Sequence, residues 1–202
     1  MPFADLLVIL NISILYHLFF VNGITIIAQD NFDHLYNRHF DAFIGISIPP
    51  QPHFIYEKIM SSSTGMYASL EYLKEFGTPQ TIDDLDNHRL ISFGDRIDHP
   101  YNVANWFLRL RCKTGEIRKP FLEINSFYGM LKLAEEGVGI ITVVNNNPGI
   151  KKLGLIRVLP KIDGPIVETF YNYSKSLEKS KRVRVFCDFL RGVFTDETRQ
   201  GT

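Results

Sequence analysis

Six histidines, two cysteines and a cluster of aspartates are the side chains that could do chemistry in this chain of 202 residues. The histidines are His17, His34, His39, His53, His88 and His99. No pair has the helical spacing of a metal site with a carboxylate between. His34 and His39 are five apart, which does not put them on one face. Asp83, Asp84 and Asp86 open a predicted short helix, where acids complement the dipole and cap the first turn. Capping explains them better than a catalytic dyad does. Cys112 and Cys187 lie in separate predicted elements, with no histidine placed to activate either. They read as buried small side chains, and two lone cysteines suit a reduced compartment rather than a disulfide framework. The chain has no GxGxxG, no phosphate loop followed by lysine and no GxSxG elbow. These residues predict neither an enzyme, nor a metal site, nor a cofactor.

Two helix starts point instead to binding. Asp30-Asn31 follow the strand-like ITIIAQ (24–29), and Asn125-Ser126 follow FLEI. In parallel sheets, ligands bind at the carboxyl ends of strands, where the free N–H groups of helix starts face a crevice. Both caps would attract an anionic or polar small molecule. Every such helix also needs a cap for its own sake, so the caps alone do not define a site.

The elements around them alternate between strand and helix, which predicts parallel sheets with helices on their faces. FDAFIGIS (40–47) reads as a buried strand closed by Pro49-Pro50. HFIYEKIM (53–60) alternates as an extended edge segment, and SSSTGMYAS (61–69) reads as a polar extended crossover. Ser69 caps SLEYLKEF, and Gly77 ends it where a positive φ is needed. Thr81 and Asp84 form a capping box. RLISF (89–93) is a predicted strand and GDRIDHPYN (94–102) a polar loop. WFLRLRC and KPFLEIN flank Lys113-Thr114-Gly115-Glu116 as a predicted hairpin. SFYGMLKLAEEG is a helix with Met130, Leu131, Leu133 and Ala134 on its apolar face. VGIITVV (138–144), LIRVLP (155–160) and VETFYNYS (167–174) are strands, and NNNPG is a loop. A last helix runs from about Ser180 to Phe194, with a frayed tail after it.

Composition is that of an ordinary globular protein: 45% hydrophobic, 22% charged, and 22 basic against 22 acidic residues. The zero balance argues against a general nucleic-acid or membrane surface. KSKRVR at 179–184 is the densest basic run and reads as the solvated face of the last helix. Residues 3–21 are apolar, but no Lys or Arg precedes them and Asp5, Asn11 and His17 interrupt them. They read as a largely buried helix rather than a membrane span or export signal.

Residues 68–93, ASLEYLKEFGTPQTIDDLDNHRLISF, carry a longer pattern. Ala68, Ser69, Tyr72, Leu73, Gly77, Pro79, Asp84, Leu85, His88 and Phe93 stand in the order A-S-P-x-Y-L-x-x-x-G-x-P-x-x-x-x-D-L-x-x-H-x-x-L-x-F. That order resembles the effector-binding domain of LysR-type transcriptional regulators. FDAFIGI (40–46), Trp106-Phe107, EINSFYGMLKLAEEGVGII (123–141), GLIRVLP (154–160) and KRVRVFCDFL (181–190) resemble further segments of that family in the same order. The resemblance covers about 30–194. Three positions depart from the family: Leu70 replaces a usual Pro, Gly45 an Arg, and Val144 a Pro.

The resemblance implies an α/β fold of two lobes like the periplasmic binding proteins of type II, each a mostly parallel sheet with flanking helices. Lobe one would be 1–61 plus 173–202, and lobe two 62–172. A small effector, anionic or polar, would bind in a cleft lined by Gln29, Asp30, Asn31, Ser47, Phe93, Gly94, Asn125 and Ser126, with Thr142 near the wall. Closure of the lobes on it would shift the arrangement of a homodimer or higher oligomer. The family's helix-turn-helix, its linker helix and the first strand of lobe one have no counterpart in these residues. DNA would therefore be bound only through a missing N-terminal domain, and the chain reads as a fragment or truncated product with a damaged cleft. The implied setting is cytoplasmic, with no membrane partner. The alternative is a secreted solute-binding protein of the same architecture, with residues 1–22 as export signal.

Overall fold

The computed structural model describes residues 27, 41–46, 52–94, 100–113 and 116–200, with only the backbone at 100–102 and 193–200. Of the nine residues expected to line a cleft, Gln29, Asp30, Asn31 and Ser47 lie outside the described residues, as do the expected helix at 3–21 and the expected buried strand at 24–29 apart from Ile27, which is exposed and not in a strand. In order, the elements are β1 (Ala42–Ile46), β2 (Phe54–Ala68), α1 (Leu70–Phe76), β3 (Ile91–Phe93), β4 (Leu122–Ile124), α2 (Phe127–Glu135), β5 (Ile141–Val144), α3 (Pro148–Lys152), β6 (Ile156–Val158), β7 (Ile166–Ser174) and α4 (Lys181–Gln200). Short 3-10 segments occupy Asp83–Asn87, Pro100–Arg109 and Lys175–Leu177. The chain forms two compact units, one of residues 1–61 with 168–202 and one of residues 62–167.

In the first unit β7 lies between β1 and β2. It runs antiparallel to β1, with Ile44 opposite Tyr171. Tyr171 and Tyr173, two apart on the strand, point to one face and pack on Val183, Cys187 and Leu190 of α4. Those three recur at helical spacing and form the buried stripe. Glu57 of β2 ties the layer together: it accepts from Tyr173 Oη at 2.7 Å, from Cys187 Sγ at 3.2 Å and from Arg191. Burial, with the Glu57 bond second, pushes the Cys187 thiol up to about 12, which keeps it unreactive. Cys112 is only half-buried, against the expectation of a buried side chain. Helix α4 continues to Gln200 where a frayed tail was expected after Phe194. Beyond Phe194 no Gly or Pro stands before Gly201, and Glu197, Arg199 and Gln200 are good helix formers.

The second unit corrects several expectations. Residues 61–68 are extended and pass from the first unit into the second, as expected, but they are not a polar linker: they form the largely buried second half of one 15-residue strand, β2. That half is hydrogen-bonded on both sides, with Met66 opposite Thr142 of β5 and opposite Val158 of β6, both antiparallel. Pairing on two edges overrides the weak strand preference of Ser and Gly. The parallel character expected of the sheets appears between β3 and β4, where Phe93 pairs with Ile124, and in a bridge from Leu90 to Ile140.

The predicted hairpin keeps its turn, where the Glu116 N–H donates to the Lys113 carbonyl at 2.9 Å, but lacks its first strand. WFLRLRC is not a strand, because residues 106–109 belong to the 3-10 segment and KPFLEIN pairs with β3 through β4. Ala104, Phe107 and Leu108 are all buried and recur at i, i+3, i+4, a helical period that the alternation of W-F-L-R-L-R concealed. NNNPG is likewise not a plain loop: the Asn147 side chain accepts from the Gly149 N–H at 2.8 Å and starts α3, with Pro148 in the first turn. The helix punctuation holds. Ser69 Oγ accepts from the Tyr72 N–H at 3.3 Å, and Gly77 closes α1 at φ 82. Of the capping box, the acidic half forms: Asp84 accepts the N–H groups of Gln80 and Thr81 at 2.8 and 2.9 Å.

Candidate functional site

The parallel pairing of β3 and β4 sets their carboxyl ends side by side in the second unit. Gly94, the first residue past β3, donates its N–H to the Ile124 carbonyl at 2.9 Å. Its φ of 71 suits a glycine, and a Cβ there would meet nothing within 4 Å. The space beside its α-carbon is open.

Past β4 the chain enters α2. Asn125 is exposed and Ser126 half-buried. Ser126 is the cap: its Oγ accepts from the Gly129 N–H at 3.2 Å, and its carbonyl accepts from the Met130 N–H at 2.9 Å. Gly129 lets the first turn of the helix sit close on β4, because a Cβ there would lie 2.5 Å from Ile124 Cδ1. Phe127, at the start of α2, stacks on Phe93 with centroids 4.1 Å apart and rings 15° from parallel. The stack fixes the helix start against the end of β3.

Behind Phe93 stands Asn105. Its Oδ1 accepts the Phe93 N–H and its Nδ2 donates to the Phe93 carbonyl, each at 2.9 Å. Asn105 occupies a break inside the 3-10 segment, with φ −101 and ψ 15. Next to it, the Ala104 carbonyl accepts the hydroxyl of Thr142, which is 1% exposed on β5.

Of the residues expected to line a cleft, Phe93, Gly94, Asn125 and Ser126 are thus brought together at one end of the parallel strand pair. Thr142 joins them only through residues 104 and 105, its hydroxyl being spent on the backbone. Asn105 and Phe127 belong to the same arrangement and were not singled out from the sequence. The signal for Asn105 was a lone carboxamide inside the apolar run VANWF, a residue type that seeks backbone partners. Phe127 had none beyond its place after the cap. A helix start with its N–H groups, small polar side chains and an open backbone turn can hold a polar or anionic group without doing chemistry on it.

Residues 25–195 match the family described as the LysR substrate binding domain. An uncharacterized HTH-type transcriptional regulator, YhjC of Escherichia coli K12, is 28% identical over 167 residues, which cover 78% of this chain and 53% of that protein. The HTH-type transcriptional regulator DmlR of the same organism is 27% identical over 174 residues, 84% of this chain and 55% of that protein. The chain therefore spans about half the length of these curated relatives. In fold it is similar to the regulatory domain of CrgA, a LysR-type transcriptional regulator from Neisseria meningitidis, with a TM-score of 0.79 at 20% identity, covering 95% of this chain and 94% of that one. That fold is the type II periplasmic-binding-protein-like one. Among the described residues no helix is long and apolar enough to cross a membrane. Matched over most of its length, the chain belongs to the LysR substrate-binding domain family.

Proposed function

We propose that this chain is the sensing part of a transcriptional regulator and binds a small polar or anionic effector at the ends of β3 and β4. The observation that carries this reading is the junction of Gly94 with the Ser126-capped start of α2, held by the stack of Phe93 on Phe127. The helix start supplies the N–H groups of its first turn and the positive end of a dipole, and Asn125 and Ser126 supply polar side chains. Gln29, Asp30, Asn31 and Ser47 are assigned to the same site on family resemblance alone, and Thr142 is assigned a supporting place behind it. The two units, 1–61 with 168–202 and 62–167, support a lobe assignment of 1–61 plus 173–202 and 62–172 except at residues 168–172, which they put with the first lobe. The chain does no catalysis: its relatives are transcriptional regulators. Occupancy acts by biasing the arrangement of a homodimer or larger oligomer in the cytoplasm, and DNA is bound by a separate helix-turn-helix domain. The alternative of a secreted solute-binding protein gains nothing from these relatives.

The test is a thermal-shift screen of the chain against small carboxylic acids, amino acids and their amides, since a ligand that binds only the folded state raises Tm. For a compound that raises Tm, Asn125→Ala and Ser126→Ala should each weaken calorimetric affinity by about tenfold, the worth of one lost charge-assisted hydrogen bond. Unchanged affinity in both variants would sink the proposed site.

A further inference from the structure

Three consecutive residues reach three different parts of the second unit. The Ala104 carbonyl takes the Thr142 hydroxyl of β5. The Asn105 carboxamide holds both main-chain groups of Phe93 at 2.9 Å. The Trp106 indole occupies the space that a side chain at residue 164 would need: a Cβ on Gly164 would lie 2.2 Å from Trp106 Cε2, 2.4 Å from Nε1 and 2.3 Å from Thr64 Oγ1. Gly164 and Thr64 are bonded to one another, Gly164 N–H to the Thr64 carbonyl at 2.8 Å, and Thr64 N–H to the Pro165 carbonyl at 3.1 Å. They stand just inside the two points, 61/62 and 167/168, at which the chain enters and leaves residues 62–167.

We infer that Ala104–Asn105–Trp106 is a positioning element that couples the backbone of the candidate effector site at Phe93 to the two segments by which the chain passes between the units, at Thr64 of β2 and at Gly164 just before β7. The inference rests on the reading that Phe93 and its neighbours hold the effector. A displacement of Phe93 must move Asn105, because both of its main-chain groups are gripped. One peptide later it must move Trp106, and the break at Asn105 gives the backbone a place to pivot. The indole is held by shape alone: Nε1 is buried and has no hydrogen-bond partner among the described residues. It can shift against Gly164 and Thr64 without breaking a directional bond, which is what a two-position transmitting part requires.

The experiment is amide hydrogen exchange, followed by NMR on the full chain without effector, so its outcome is independent of whether the effector site is right. Asn105→Ala should speed exchange at the Thr64 and Gly164 amides by about tenfold, leaving Leu73 and Ile91 unchanged. Trp106→Phe should speed the same two amides and leave Phe93 and Gly94 as they were. In the double variant Asn105→Ala should add nothing further at Thr64 and Gly164. Additive effects, faster exchange throughout the unit, or an Asn105→Ala effect confined to Phe93 and Gly94 would each overturn the inference.

Discussion

Tyr72 has one hydroxyl and two partners. It accepts the Arg89 N–H at 2.8 Å and lies 3.0 Å from His88 Nδ1. In the neutral imidazole with its proton on Nε2, Nδ1 accepts the Tyr72 hydroxyl proton while the Tyr72 oxygen accepts the Arg89 amide. Burial holds the His88 pKa below its ordinary 6.5, against the smaller opposing pull of Asp84. A folded-state pKa below the unfolded one contributes stability that is fully present above about 6.5 and is lost as pH falls through the folded value. Thermal denaturation should therefore show a Tm that is level near pH 8 and declines below about 6.5, with His88→Asn flattening the decline. Parallel curves for the two proteins would mean that other groups carry it. The same pair explains a piece of the sequence pattern: Tyr72 and His88, sixteen positions apart, are spaced to meet across α1 and the 3-10 turn. Their sequence order shows the family, but only the fold shows the bond.

Elements depend on close approach at glycine in one place above all. Ile140 donates to the Arg89 carbonyl at 2.8 Å and accepts from Ile91 at 2.9 Å, which joins β5 to β3. A Cβ on Gly139 would lie 2.4 Å from that same Arg89 oxygen, a backbone atom with nowhere to go. Gly139→Ala should lower stability by about 3 kcal/mol or more, read as a large fall in the urea midpoint. Gly137→Ala should cost less, about 1 kcal/mol, since its strain is a φ of 73 and its nearest neighbour would sit at an ordinary 3.6 Å. Equal losses would show that the bridge does not depend on the approach. Capped helices and runs such as AFIGI, LISF and VETFYNYS were legible because cap, period and burial all agreed locally. The 106–112 segment was not, because its helical stripe starts at Ala104, before the apparent alternation. Nor was α3, five residues long and defined by one asparagine cap, nor the full length of β2, which two partner strands impose. At the candidate site, Ser126 could be found from its place after a strand. Asn105 and Phe127 could not, since what they touch is Phe93, brought to them by the fold.

At the scale of the molecule the two units differ in how the chain builds them. The first draws on two separated segments, and its sheet needs β1, β2 and β7 together. The second is one continuous stretch with its own core of Met66, Tyr72, Leu85, Leu90, Phe107 and Ile140. Residues 62–167 expressed alone should keep α/β circular dichroism and melt in a single cooperative step. A featureless melt would show that this core needs the remainder of the chain. That core also packs against half-buried Trp106, the only tryptophan in the sequence. All indole emission from the protein therefore originates beside Gly164, so a shift in emission wavelength on adding a compound, read on unlabelled protein, would report the proposed coupling.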